Sequence, residues 1–254
     1  MKNRVIFLIG AIALSACGEA NQDANEATQE IPSESLSLNE LVKRSVESQL
    51  QIPATENYSL SIHKGQFDAD DVEDAVVLVN RKEFAFSEAI RKNRVKNQEN
   101  IGYTGNYNFF FYYNGAKNEV SRPIIITSSA TVPLKITIEN IQTEAYKDFT
   151  IDYRIMESCY RNFYTISNGV PKLVFQWGIF DYEKSDSSRV TYIEYGIGSH
   201  SLAKDILIFP GKMISPLPKN LNDDFEYKIE KDGELEYLFF YNPNQGKYYT
   251  KKRS

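Results

Sequence analysis

Between Gly65 and Val79 the chain reads Gly-Gln-Phe-Asp-Ala-Asp-Asp-Val-Glu-Asp-Ala-Val-Val-Leu-Val, so carboxylates crowd the residues just before a strongly apolar run. Hard cations such as Ca²⁺ take roughly six to eight oxygens at about 2.3–2.6 Å, and a tight loop supplies them from alternate residues plus a backbone carbonyl. Asp68, Asp70 and Asp74 offer carboxylates here, Val72 a carbonyl and Gln66 an amide oxygen. With so few charges the expected dissociation constant is weak, on the order of 10⁻⁴ to 10⁻³ M, and the ion would be structural. The competing reading is a solvated acidic turn whose side chains bond nearby N–H groups.

The same stretch resembles the calcium loop of FG-GAP and VCBS-type repeats, Asp-x-Asp/Asn-x-Asp-Gly-x-x-Asp followed by an apolar strand. Aligned on that strand, Gln66 takes the first acidic position, Asp68 the third and Asp70 the fifth. Asp71 replaces the turn glycine, Val72 falls at the carbonyl position and Asp74 is the final acid. Gln66 removes one negative charge, and Asp71 must enter a conformation that glycine adopts more cheaply. The resemblance spans about fifteen of 254 residues, and the further copies that a propeller needs are not found. It implies one loop on a small β domain, with Ca²⁺ as the only cofactor.

The search for catalytic residues assigns none. Gly198-Ser199-His200-Ser201 sets hydroxyls beside an imidazole, but neighbours on a strand point to opposite faces and make no nucleophile–base pair. His63 reads as a structural or surface residue. Gly-x-Ser-x-Gly, phosphate-loop and dinucleotide patterns do not occur. The pair Asp223-Asp224 is adjacent in sequence, which says nothing about the roughly 5 to 9 Å separations that glycosidic chemistry requires.

The two cysteines part company. Lys2 and Arg4 precede an uncharged stretch, Val5 to Leu14, that closes on Leu14-Ser15-Ala16-Cys17. A charged start, a short apolar core and a small-residue exit describe an export signal, and about 15 Å of helix is half of a bilayer's hydrocarbon core. Leu14 to Cys17 resembles the lipobox of bacterial lipoproteins. That resemblance implies removal of residues 1–16, a diacylglyceryl group on the Cys17 thiol and an acylated amine, palmitate-type chains that together hold the protein to a membrane. Gly18 after the cysteine implies the outer membrane, on either face. The alternative is an ordinary signal peptide with an incidental cysteine. Cys159 then has no disulfide partner, and it reads either as a reactive thiol or, the preferred reading, as a small buried hydrophobe.

The elements that must position these residues follow from composition and period. From Gly18 to Ser35 the chain lacks aromatics and reads as a tether, so residues 17–36 link the lipid to a single β-rich domain over 37–254. Ser37-Leu38-Asn39-Glu40 has capping-box spacing, and apolar residues at 38, 41, 42, 46 and 50 predict an amphipathic helix stopped by Pro53 and packed on its own domain. Strand-like runs follow at 58–62, 75–79, 109–113, 124–126 and 134–138, with a clean alternation at 149–155. Asn168-Gly169 predicts a hairpin between 160–167 and 170–177, and Lys231-Asp232-Gly233 a second between 225–230 and 235–241. The predicted fold is therefore mainly β, an antiparallel sheet or sandwich with one N-terminal amphipathic helix, with α+β as the neighbouring class. The Lys- and Arg-rich segment 81–97 reads as a solvated helix or long loop.

Composition bounds the function. Seventeen Tyr and fifteen Phe against one Trp and three Met favour sheets, and two Cys with two His exclude a disulfide scaffold or a zinc cluster. Removing Lys2 and Arg4 leaves 27 basic against 34 acidic residues, a net charge near −7, which disfavours nucleic acid as a partner. The expected protein is an envelope-anchored, noncatalytic binding or accessory module for a glycan or protein, with the aromatic clusters at 109–113, 237–241 and 248–249 as contact surface. The alternative is a hydrolase of an envelope polymer acting through dispersed carboxylates.

Overall fold

The computed structural model describes residues 36–94, 104–182 and 188–250. Cys17, the expected signal at 1–16 and the expected tether up to residue 35 lie outside the described residues. Helix α1 (Leu38–Leu50) opens with the predicted capping box: Ser37 Oγ accepts from Glu40 N at 3.4 Å, and the Glu40 carboxylate accepts from Ser37 N at 3.1 Å. It ends at Gln51, which sits left-handed at φ 51°, two residues before Pro53.

Beyond it, β1 (Ser59–Gly65), β2 (Asp74–Asn80), β3 (Thr104–Asn114), β4 (Glu119–Val120) and β5 (Ile124–Ser129) form a five-stranded antiparallel sheet, with β5 also on β3. Helix α2 (Lys82–Arg91) lies between β2 and β3 in the chain. It accounts for most of the basic segment, of which residues 95–97 are outside the described residues. Ala85 and Ala89 pack it against Ala130, and Glu88 pairs with both Arg91 and Lys92 at 2.8 Å. Arg81 is buried and grips Glu56 through two nitrogens at 2.6 Å.

The second sheet has nine strands: β6 (Lys135–Glu139), β7 (Asp148–Ile155), β8 (Ser158–Ser167), β9 (Val170–Asp181), β10 (Arg189–Gly196), β11 (Asp205–Met213), β12 (Ile229–Lys231), β13 (Tyr237–Asn242) and β14 (Lys247–Thr250). Its neighbours run in chain order from β6 to β11, and every pairing is antiparallel. The protein is thus mainly β and sandwich-like, as its alternation predicts.

Burial explains the layering. On one face of the first sheet Val77, Val79, Phe109 and Phe111 meet Val42 and Val46 of α1. On the other, Val76, Leu78, Phe110 and Tyr112 meet Phe149, Ile151, Tyr164 and Ile166 of β7 and β8. All seven residues of β2 are buried, which is why it reads as a continuous apolar run and not as an alternation. Phe110 sits edge-on to Phe149 and Tyr164 at 5.8 and 4.9 Å. Each such ring contributes about 1.5–3 kcal/mol through burial. A separate cluster of Phe163, Val174, Ile206, Ile208, Phe239 and Tyr248 fills the far part of the large sheet.

One predicted hairpin forms and one does not. Ser167 pairs with Val170 across Asn168 and Gly169, whose φ values of 55° and 71° suit a two-residue turn. The segment before Lys231, however, joins β11 instead of β13, with Gly211 opposite Lys231 and Ile206 opposite Phe239. β11 therefore serves two partners on one edge, and the real C-terminal hairpin is β13–β14, turning through Gly246 at φ 64°.

Candidate functional site

The acidic loop joins β1 to β2, so two paired strands fix both of its ends. Asp68 Oδ1 accepts from Asp70 N at 3.1 Å, and Asp70 Oδ1 accepts from Val72 N at 3.0 Å. Asp71 is left-handed at φ 61°, the conformation its alignment with a turn glycine demands, and its carboxylate accepts from Gln66 Nε2 at 2.9 Å. Asp74 is fully buried at the head of β2. Its two oxygens accept from Phe67 N at 3.3 Å and from Gly115 N at 2.9 Å, so it staples the acidic loop to the β3–β4 turn. Tyr112 OH reaches Asp68 at 3.4 Å. Burial, reinforced by the Asp74 and Asp70 charges, pushes the Asp68 carboxyl above the usual range.

Gln66, Asp68, Asp70, Val72 and Asp74 thus share one loop, in which Asp68, Asp70 and Asp74 accept from backbone N–H groups and Gln66 donates to Asp71. No set of three or more His, Cys, Asp or Glu side chains among the described residues is arranged to hold a metal ion.

Cys159 is 1% exposed and has no disulfide. Burial pushes its thiol up to about 12, and the hydroxyl of Tyr227, which donates to Asp152 at 2.7 Å, lies 3.6 Å from its sulfur. Ser199 and His200 are not on a strand but in a bend, where Ser199 Oγ lies 2.8 Å from His200 Nδ1 and the imidazole stacks on Phe240 at 4.2 Å. Asp205 accepts from Ser199 N, so this group is a turn cap. His63 lies 3.0 Å from Ser61 Oγ on exposed β1. Asp224 pairs with Lys135 at 3.3 Å, and Asp223 accepts from Asn220 at 3.1 Å.

Of the aromatic clusters, Phe109 to Tyr112 are core. Tyr237 and Tyr249 are exposed, Tyr248 is buried, and Tyr241 lines a cleft of about 550 Å³. Three segments build this cleft: the loop before β7 with Gln142 and Tyr146, the β8–β9 hairpin with Thr165, Ser167 and Lys172, and the β13–β14 hairpin with Tyr241, Asn244, Gln245 and Lys247. Among the described residues no Asp or Glu lines it. Gln142 Nε2 is buried without a hydrogen bond, although the Tyr241 hydroxyl is beside it. A second cleft of about 620 Å³, between α1 and β1, has charges that are already matched, Lys43 to Glu47 at 3.6 Å and Glu56 to Arg81 at 2.6 Å.

Sequence reasoning missed the first cleft because its residues come from three segments spread between residues 142 and 247. The only local signal was the pair of turns, Asn168-Gly169 and Asn244-Gln245-Gly246, that shape its rim.

Comparison with protein-family models, with curated proteins and with solved structures found no match.

Proposed function

We propose that this protein is a lipid-anchored, noncatalytic binding module of a bacterial envelope, held through Cys17 to the outer membrane and engaging a glycan through the cleft between the β8–β9 and β13–β14 hairpins. The cleft carries the binding reading. Its volume lies in the range of small-ligand sites, and it combines two tyrosine faces with amides and hydroxyls, the mixture that saccharide rings and hydroxyls require. Membrane attachment rests on Leu14-Ser15-Ala16-Cys17. The β1–β2 loop is a weak structural Ca²⁺ site in this reading, supported by left-handed Asp71 at the glycine position. Binding would require Asp68 and Asp70 to turn from the N–H groups they now accept.

The deciding experiment passes the purified protein over immobilised envelope polysaccharides while assaying release of reducing ends. Retention without release supports the module. Release of reducing ends replaces it with the hydrolase, and failure to be retained on any polysaccharide removes the glycan reading.

A further inference from the structure

Among the described residues the cleft is lined by two lysines, Lys172 on β9 and Lys247 at the start of β14, and by no acidic side chain. Neither lysine has an ion-pair partner among the described residues, a state they share with Lys82, Lys117, Lys147, Lys212, Lys219 and Lys228, so what sets Lys172 and Lys247 apart is that both line one cleft. Around the start of β7, Glu144 pairs with Lys204 at 3.2 Å, and Asp148 is buried, with Oδ2 accepting from Ile141 N and Gln142 N at 3.1 and 2.6 Å and Oδ1 without a hydrogen-bond partner among the described residues.

A protein with a formal charge of −5 thus brings two cations without ion-pair partners to the lining of one cleft. Unmatched charge at a concave site draws and orients a ligand of opposite sign. Tyr146 and Tyr241 contribute aromatic rings to its lining, and Asn244 and Gln245 offer amide donors and acceptors. A bare inorganic anion uses the lysines alone, whereas a charged sugar uses every one of these groups.

Resting on the binding reading above, we infer that the cleft accepts an acidic saccharide, a short glycan bearing carboxylates, with Lys172 and Lys247 on its charges and Tyr241 against a ring. Calorimetric titration of the full chain with trigalacturonic acid, its uncharged methyl ester and inorganic phosphate tests this. The acid should bind at least tenfold more tightly than the ester, weaken as salt rises, and lose at least tenfold in Lys172→Gln/Lys247→Gln. Both lysines are exposed, so that variant should melt with the wild type. Tyr241→Ala should weaken acid and ester alike.

Equal binding of acid and ester, wild-type binding by the double lysine variant, or phosphate competing as well as the trisaccharide each overturns the inference. If the chain is retained on neutral polysaccharides yet ignores trigalacturonic acid, the charge assignment fails and the binding module stands. If it is retained on none and binds no probe, both fail.

Discussion

Replacing Asp74 separates a structural carboxylate from an ion ligand. Its side chain is fully buried and accepts from two backbone N–H groups, Phe67 N at 3.3 Å and Gly115 N at 2.9 Å. A hydrogen bond to a charged group contributes about 1.5–3 kcal/mol, with the longer bond at the lower end, so Asp74→Ala should cost about 3–5 kcal/mol. Asp74→Asn keeps one acceptor for Gly115 and turns an amide N–H toward Phe67 N, and it should cost about half as much. Urea unfolding followed by Trp177 fluorescence measures both, once in EDTA and once in 10 mM CaCl₂. If the loop binds Ca²⁺ with a dissociation constant of about 1 mM, the salt adds about 1.4 kcal/mol to the wild type by mass action. The Ala variant should lack that increment and still show its full penalty in EDTA. An Asp74→Ala protein within about 1 kcal/mol of wild type in EDTA refutes the staple, because among the described residues Asp74 is the acceptor for both N–H groups.

Three further outcomes follow from buried groups. In a Cys17→Ala chain, a thiol reagent at pH 8 should leave the native protein unmodified and label one thiol, Cys159, only after urea, since burial holds that thiol near 12. Burial also raises the folded-state pKa of Asp148, so its neutral form favours folding. Wild-type stability should then fall as pH rises above the ordinary carboxylate range through the raised value, and Asp148→Asn should flatten that slope in melts across pH 4–8. Gly115→Ala would place a Cβ 2.2 Å from Glu73 O and 2.9 Å from Val72 Cγ1, and thermal melts should register a loss of about 1–3 kcal/mol.

Local chemistry explains which parts of the fold were legible. The α1 cap, the strands around 75–79 and 149–155 and the Asn168-Gly169 turn all depend on residues within a few positions of one another, and each forms as read. The segment at 225–241 misled because Lys231-Asp232-Gly233 has turn chemistry while the choice of partner belongs to β11. Asp232 N bonds Pro210 O and Glu236 N bonds Ile208 O, so the bend feeds two strands onto one edge. In the acidic loop the backbone conformation of Asp71 was legible, and the commitment of Asp74 to Gly115, 41 residues away, was not. The cleft was invisible for a related reason, because the two hairpins and the loop that line it come from segments between residues 142 and 247 that only the fold brings together.

The near-sequential order of the large sheet bears on how the chain reaches this state. From β6 to β11 each strand docks on the one synthesised just before it, and the first sheet is complete by Ser129. Loop closure costs rise with the span that must be closed, so a meander reaches its native pairings through a series of small steps where a Greek key needs a few large ones. The five-stranded sheet can acquire its hydrogen bonds before β7 exists, yet its Phe110 face stays bare until Phe149 and Tyr164 arrive. That exposed interval, from about residue 130 to 164, is the stretch of synthesis in which the protein is most open to aggregation.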